Sequence, residues 1–135
     1  MRVWMAGLVG ACITASGPAL AQDISFRSPT GNIHCMIFSG TDAAARCDVS
    51  EFTPSYQRPA DCDLDFGYAF QVGAEGPGEP ICAGDTVIDE SASVLAYGRS
   101  VVGSGITCTS EKTGMTCVNE EGHGFTVARS SQEAF

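Results

Sequence analysis

The chain has 135 residues, with sixteen acidic side chains against seven basic ones and a formal net charge of −9. Such a surface repels phosphate backbones and anionic lipid heads, which argues against nucleic acid and membrane surfaces as partners. Sixteen glycines, six prolines and seven cysteines leave little room for long helices and favour short strands, turns and cross-links.

The chain opens MRVWMAGLVGACITASGPALAQD. Arg2 precedes an apolar run from Val3 to about Ala15, and small residues follow, ending Ala19-Leu20-Ala21. That is the positive start, apolar middle and A-x-A exit of a secretory signal peptide. Residues 1–21 are therefore expected to be removed and residues 22–135 to form one mature domain, secreted or periplasmic. An alternative lies in Val9-Gly10-Ala11-Cys12, which resembles a lipoprotein processing site and would anchor the chain through lipid on Cys12. Only eleven residues precede that cysteine, short of the about 15 of an ordinary leader. Glycines and Pro18 thin the apolar stretch below the roughly 20 residues of a membrane span, and no later segment is apolar enough to cross a bilayer. With Arg2 gone, six basic residues face sixteen acidic ones, and six minus sixteen gives −10.

Along the mature chain the β-prone runs are Ile24–Arg27, Asn32–Phe38, Ala44–Val49, Phe66–Val72, Pro80–Cys82, Val94–Tyr97, Val101–Thr109, Met115–Asn119 and Phe125–Arg129. In the second, Ile33, Cys35 and Ile37 alternate with Asn32, His34 and Met36, as in a half-buried strand. This places His34 on the outward face, at the surface or partly buried. Val72–Pro80 holds three glycines and two prolines and reads as a loop, the most flexible stretch of the chain. Asp89–Ala92 is the one place for a short helical turn. The expected fold is all-β, a small disulfide-stabilised sandwich or barrel of about seven to nine short antiparallel strands.

Cys35, Cys47, Cys62, Cys82, Cys108 and Cys117 remain once the leader is gone. An even number in an exported domain of this size reads as a disulfide framework. Glu111-Lys112-Thr113-Gly114 separates two β-prone runs, and a turn there sets Cys108 opposite Cys117. Directly opposed, non-hydrogen-bonded strand positions lie about 4.5 Å apart at Cα, within bridging range. A turn near Ser39-Gly40-Thr41-Asp42 likewise faces Cys35 with Cys47, and Cys62 joins Cys82 by elimination.

Several of these stretches together carry a resemblance. SPTGNIHC, CAGDT, LAYGRS and GITCTSEKTGMTCVNEEGHGF follow in order the pattern SPSGNI-x-C, C-x-GDT, L-x-YG-x-S and G-x-T-C-x-N…GHGF-x-x-SR. The chain, from about Phe26 to Phe135, thus resembles a family of exported bacterial six-cysteine domains of unknown function. Phe66 stands where that pattern has tryptophan, and Ala128-Arg129 where it has Ser-Arg. The resemblance implies an exported disulfide-bonded domain and supplies no activity.

Candidate chemistry is sparse. His123, between Gly122 and Gly124, is the first candidate ligand contact or general base, with Arg129 beside it; the plainer reading is a bend into the last strand. Asp61, Asp63 and Asp65 alternate, but the glycine at Gly67 and Val72 in place of a terminal glutamate do not fit an EF-hand loop. On a strand the three would form a solvated acidic edge or a weak calcium site. There is no C-x-x-C, nucleophile elbow or phosphate-binding glycine loop. No catalytic residue, metal ligand or cofactor site is therefore assigned. The reading that fits best is a non-catalytic binding or envelope-associated module whose partner is a protein or small ligand in the cell envelope or exterior. The alternatives are an inhibitor of secreted hydrolases, using Val72–Pro80, and a small hydrolase using His123.

Overall fold

Glycine turns cut the sequence from Gln22 onward into β-prone runs too short for anything but strands. A computed structural model describes residues 10–12 and 22–135. The expected signal peptide lies mostly outside the described residues. The strands are β1 Ile24–Arg27, β2 Ile33–Phe38, β3 Ala44–Val49, β4 Ala69–Gly73, β5 Glu79–Pro80, β6 Ser93–Val94, β7 Ser100–Gly103, β8 Ile106–Glu111, β9 Gly114–Val118, β10 Gly124–Val127 and β11 Gln132–Ala134. They form two sheets, ordered β5-β4-β3-β2-β1-β6 and β11-β10-β9-β8-β7. The fold is all-β and a sandwich, not a closed barrel.

Four expectations are corrected. Val101–Thr109 is two strands, not one, because Ser104 and Gly105 take φ of 54° and 74° and close a tight hairpin between β7 and β8. Positive φ at both central residues matches the twist of a two-residue hairpin, so the β-branched run folds back on itself. The carboxyl-terminal β11 is an addition, which brings the described strands to eleven. The pairing is not wholly antiparallel, since β6 lies parallel to β1. Asp89–Ala92 forms no helix, only a turn in which the Ala92 amide donates to the Asp89 carbonyl at 3.0 Å.

Alternation sends Ile33, Cys35 and Ile37 of β2, Ala45, Cys47 and Val49 of β3, and Phe70 and Val72 of β4 to one face. From the other sheet Ile106, Cys108, Met115, Cys117, Phe125 and Val127 meet them. Each fully buried Val, Ile, Phe or Met contributes about 1.5–3 kcal/mol of transfer free energy. Phe70 and Phe125 meet across the two sheets with ring centroids 6.2 Å apart and ring planes tilted by 46°. The outer face of the second sheet differs: Ser100, Thr109, Thr116 and Thr126 stand in register there, with hydroxyl contacts of 2.7 Å (Ser100–Thr109) and 2.8 Å (Thr116–Thr126).

Three disulfides join Cys35–Cys47, Cys62–Cys82 and Cys108–Cys117, with Cα separations of 4.1, 5.8 and 4.0 Å. The first and third each link directly opposed residues of a hairpin. They also meet in the core, Cys47 Sγ lying 3.8 Å from Cys117 Sγ. Both sulfurs are oxidised, so neither carries a proton and the contact is dispersion between polarisable atoms.

Access separates the three bridges, because thiol–disulfide exchange needs an attacking thiolate to reach a sulfur. Cys35, Cys47, Cys108 and Cys117 are fully buried, whereas Cys82 is exposed. Limited dithiothreitol under native conditions, followed by alkylation and peptide mapping, should label Cys62 and Cys82 first. Early labelling of Cys47 or Cys117 in folded protein would show that the core bridges are accessible.

Candidate functional site

β3 breaks the half-buried pattern, since all six of its residues are buried. Its inner residues face the second sheet; Ala44, Arg46 and Asp48 face outward, where the segment Ala83–Ala92 lies over them as a strap. Asp48 is fully buried and accepts four hydrogen bonds: Arg46 Nε at 2.8 Å and Nη2 at 3.1 Å, Thr86 Oγ1 at 2.9 Å, and the Val87 amide at 3.0 Å. Arg46 also donates to Asp85 Oδ1 at 2.9 Å and to the Asp85 carbonyl at 3.1 Å. Tyr68 adds its hydroxyl to the carbonyls of Ala83 and Asp85.

Burial works against the Arg46 charge, but hydrogen bonds to Asp48 and then Asp85 outweigh it and hold the guanidinium above its ordinary range. The hydrogen bond from Arg46 keeps the Asp85 carboxyl below the ordinary aspartate range. Burial, and next the Asp48 charge, raise the Tyr68 phenol. This cluster seats the strap. It was not singled out in the sequence; its only signals were Arg46 and Asp48 on one face of a strand and the CAGDT stretch that supplies Asp85 and Thr86.

His34 lies on the outward face as expected but is buried, not at the surface, because the strap covers it too. Nε2 faces the Gly31 carbonyl at 2.9 Å and Nδ1 faces the Asp89 amide at 3.3 Å. A carbonyl can only accept and an amide can only donate, so Nε2 donates to Gly31 and Nδ1 accepts from Asp89. His34 ties a turn to the strap and has no free nitrogen for chemistry.

His123 sits exposed in the turn between β9 and β10, and its ring makes no hydrogen bond or ion pair among the described residues. Its glycines answer to the backbone. Gly122 has a φ of 82°, and a Cβ on Gly124 would lie 1.8 Å from the Cys117 carbonyl oxygen. Asn119, buried in the same turn, accepts from the Glu121 and His123 amides at 3.0 and 3.1 Å and donates to the Gly73 and Gly76 carbonyls at 3.2 and 2.9 Å. The turn and the Val72–Pro80 loop are thus bonded together, and Gly78 donates to the Phe135 carbonyl at 2.9 Å. Arg129 is not beside His123: it follows the far end of β10, six residues and up to roughly 20 Å of extended chain away.

Arg129 instead lines a cleft of about 540 Å³ at the end of the sandwich. Tyr97, Lys112, Glu51, Glu90 and Glu111 share it. Arg129 Nη2 lies 3.2 Å from Glu51 Oε2, with both side chains more than two-thirds exposed, so the pair is worth at most about 1 kcal/mol and opens readily to a ligand. Lys112 is the protein's one lysine. The lining therefore offers two cations, three carboxylates and a phenol, with Glu111 and Lys112 on the hairpin turn that the Cys108–Cys117 bridge closes. Asp61, Asp63 and Asp65 are not on a strand, as one reading had them, and among the described residues no three His, Cys, Asp or Glu side chains converge to hold a metal ion.

A two-sheet β domain, stapled within each sheet and carrying its loop concavities on a rigid frame, is the class these features define. Residues 8–135 match a family of unknown function (DUF6636), and the chain belongs to it. No curated protein and no solved structure matches the chain.

Removing one member of a buried ion pair leaves the other uncompensated. Asp48→Ala should therefore cost about 3–5 kcal/mol in urea unfolding, and Arg46→Met with Asp48→Ala clearly less than the sum of the two single losses. Strict additivity would mean that the pair is not coupled. Asp85 gives a pH signature. Its folded carboxyl titrates lower than the unfolded one, so its stabilisation is full above the ordinary aspartate value of about 3.9 and fades as pH falls through the folded value. The stability gap between wild type and Asp85→Asn should shrink from pH 7 to pH 3; a constant gap would contradict it.

Proposed function

We propose that the chain is an exported, non-catalytic binding domain that engages a protein or small ligand of the cell envelope or exterior through its end cleft. The observation that carries this reading is the cleft itself, where Lys112 and Arg129 line one wall of a concavity built from turns of both sheets. Loops on a rigid scaffold are where recognition concentrates, and a frame already ordered by disulfides loses little entropy when a partner binds. Three disulfides fit an oxidising compartment. Among the described residues no helix is long and apolar enough to cross a membrane. Removal of residues 1–21 as a signal peptide completes the proposal, with a lipid on Cys12 as its alternative.

The hydrolase reading, which needs His123 and a carboxylate together in one pocket, loses support, because His123 sits exposed in a turn and does not line the end cleft. The inhibitor reading gains one observation, since the bonds from Asn119 and Phe135 make the Val72–Pro80 loop firmer than its composition suggests.

Chemical cross-linking in the envelope of the native host, with the mature protein recovered for mass spectrometry, tests the proposal. The expected result is a chain beginning at Gln22 and a cross-linked partner that is lost from the double variant Lys112→Glu/Arg129→Glu and kept by His123→Ala. A partner kept by the double variant, or lost from His123→Ala alone, overturns the cleft as the binding surface.

A further inference from the structure

A second concavity, distinct from the end cleft, lies where the strap meets the segment Asp65–Tyr68 and the end of β3. It is an open trough of about 610 Å³. Phe52, Phe66 and Tyr68 line it and are only partly buried, while Ile88 of the strap is 42% exposed. Asp65 and Asp85 bring carboxylates to the same lining. Asp48, Asp85 and Asp65 against Arg46 leave this region with a net charge of one minus three, or −2, inside a protein that is itself strongly acidic.

We propose that this trough docks a segment of a partner protein carrying a lysine or arginine beside an apolar residue. Aromatic faces bordered by carboxylates match such a side chain in both its parts: the aliphatic stem lies on Phe52 and Phe66, and the cationic head meets the ring faces and the acids. Asp85 is prepared for the contact. Arg46 grips its Oδ1 and its carbonyl, and Tyr68 bonds the same carbonyl, yet the Asp85 side chain remains 80% exposed. A carboxylate already fixed in place and still open to solvent loses little freedom on pairing with a cation. Ile88 supplies the apolar contact for the neighbouring residue of the segment. The negative surroundings reject nucleic acid and anionic peptides and speed the approach of a basic one.

The probe is a fluorescein-labelled peptide of alternating lysine and leucine, read by fluorescence anisotropy on the oxidised mature protein, with a glutamate–leucine peptide of equal length as control. The lysine peptide should bind saturably and weaken with salt, and the glutamate peptide should not bind. Asp65→Lys should weaken binding about ten-fold or more, the loss of one charge contact together with its stacking. Ile88→Ser should weaken it too, whereas Glu75→Lys, the same charge change on an exposed loop elsewhere, should leave affinity within about two-fold. Glu111→Lys in the end cleft should also leave affinity within about two-fold, so that binding at the cleft and binding at the trough are told apart. Absence of saturable binding, equal losses for Asp65→Lys and Glu75→Lys, or equal affinity for the glutamate peptide overturns the proposal.

Discussion

The contact between Cys47 and Cys117 is the point from which the rest of the molecule is built. Each cysteine closes a hairpin within its own sheet, so each bridge fixes the register of two strands. Because the two bridges also touch, at 3.8 Å between sulfurs, they fix how the sheets face one another. A one-residue slip in either hairpin would turn its cysteine toward solvent together with every other inner residue. The covalent bond makes that slip impossible, and Phe70, Phe125 and the aliphatic residues then pack around a sulfur centre that cannot shift. Restricting the unfolded chain in this way is worth about 2–4 kcal/mol per bridge, comparable to a large part of a small domain's stability.

The outer faces of the two sheets solve the same problem differently. The second sheet leaves its outer face in water and covers it with a row of hydroxyls that bond to one another or to solvent. The first sheet puts Arg46, Asp48 and His34 on its outer face and then removes them from water. Burying two charges is expensive, and a hydrophobic pair of similar volume would often hold as well. What the charges add is direction. Asp48 accepts from two strap residues and Arg46 reaches a third, so the strap has one seat and one register, which oil-like contacts would not specify.

This contrast also explains how much was legible in the sequence. Cysteine pairing could be read because both hairpins are local: a turn signal sits midway between the partners, and nothing distant is needed. In β8 the alternation of Ile106, Cys108 and Ser110 with Thr107, Thr109 and Glu111 gives the right inner and outer faces, because nothing covers the outer one. In β2 alternation puts Ile33, Cys35 and Ile37 inward and His34 outward but misses the burial of His34, since the strap residue that covers it comes 55 residues later. Alternation reports which way a side chain points, not what arrives later to cover it. His34 was misjudged for that reason. The break at Ser104-Gly105 was hidden by β-branched residues on both sides, and the hairpin it makes depends on two left-handed residues, one of which is a serine.

The strap is what links this structural economy to recognition. Its Asp85, Thr86 and Ile88 line the trough, and its Glu90 lines the end cleft. Ser50, just beyond β3, borders both concavities as well. Neither surface is therefore made by the sandwich alone; each takes part of its lining from a segment that the buried pair, together with His34 and the Asp65–Ala83 bridge, holds in place. Arg46 and Asp48 touch no ligand in either place, yet they position the side chains that would. A site of this kind leaves no signature motif, because its chemistry is spread over short turns and its precision comes from residues hidden under them.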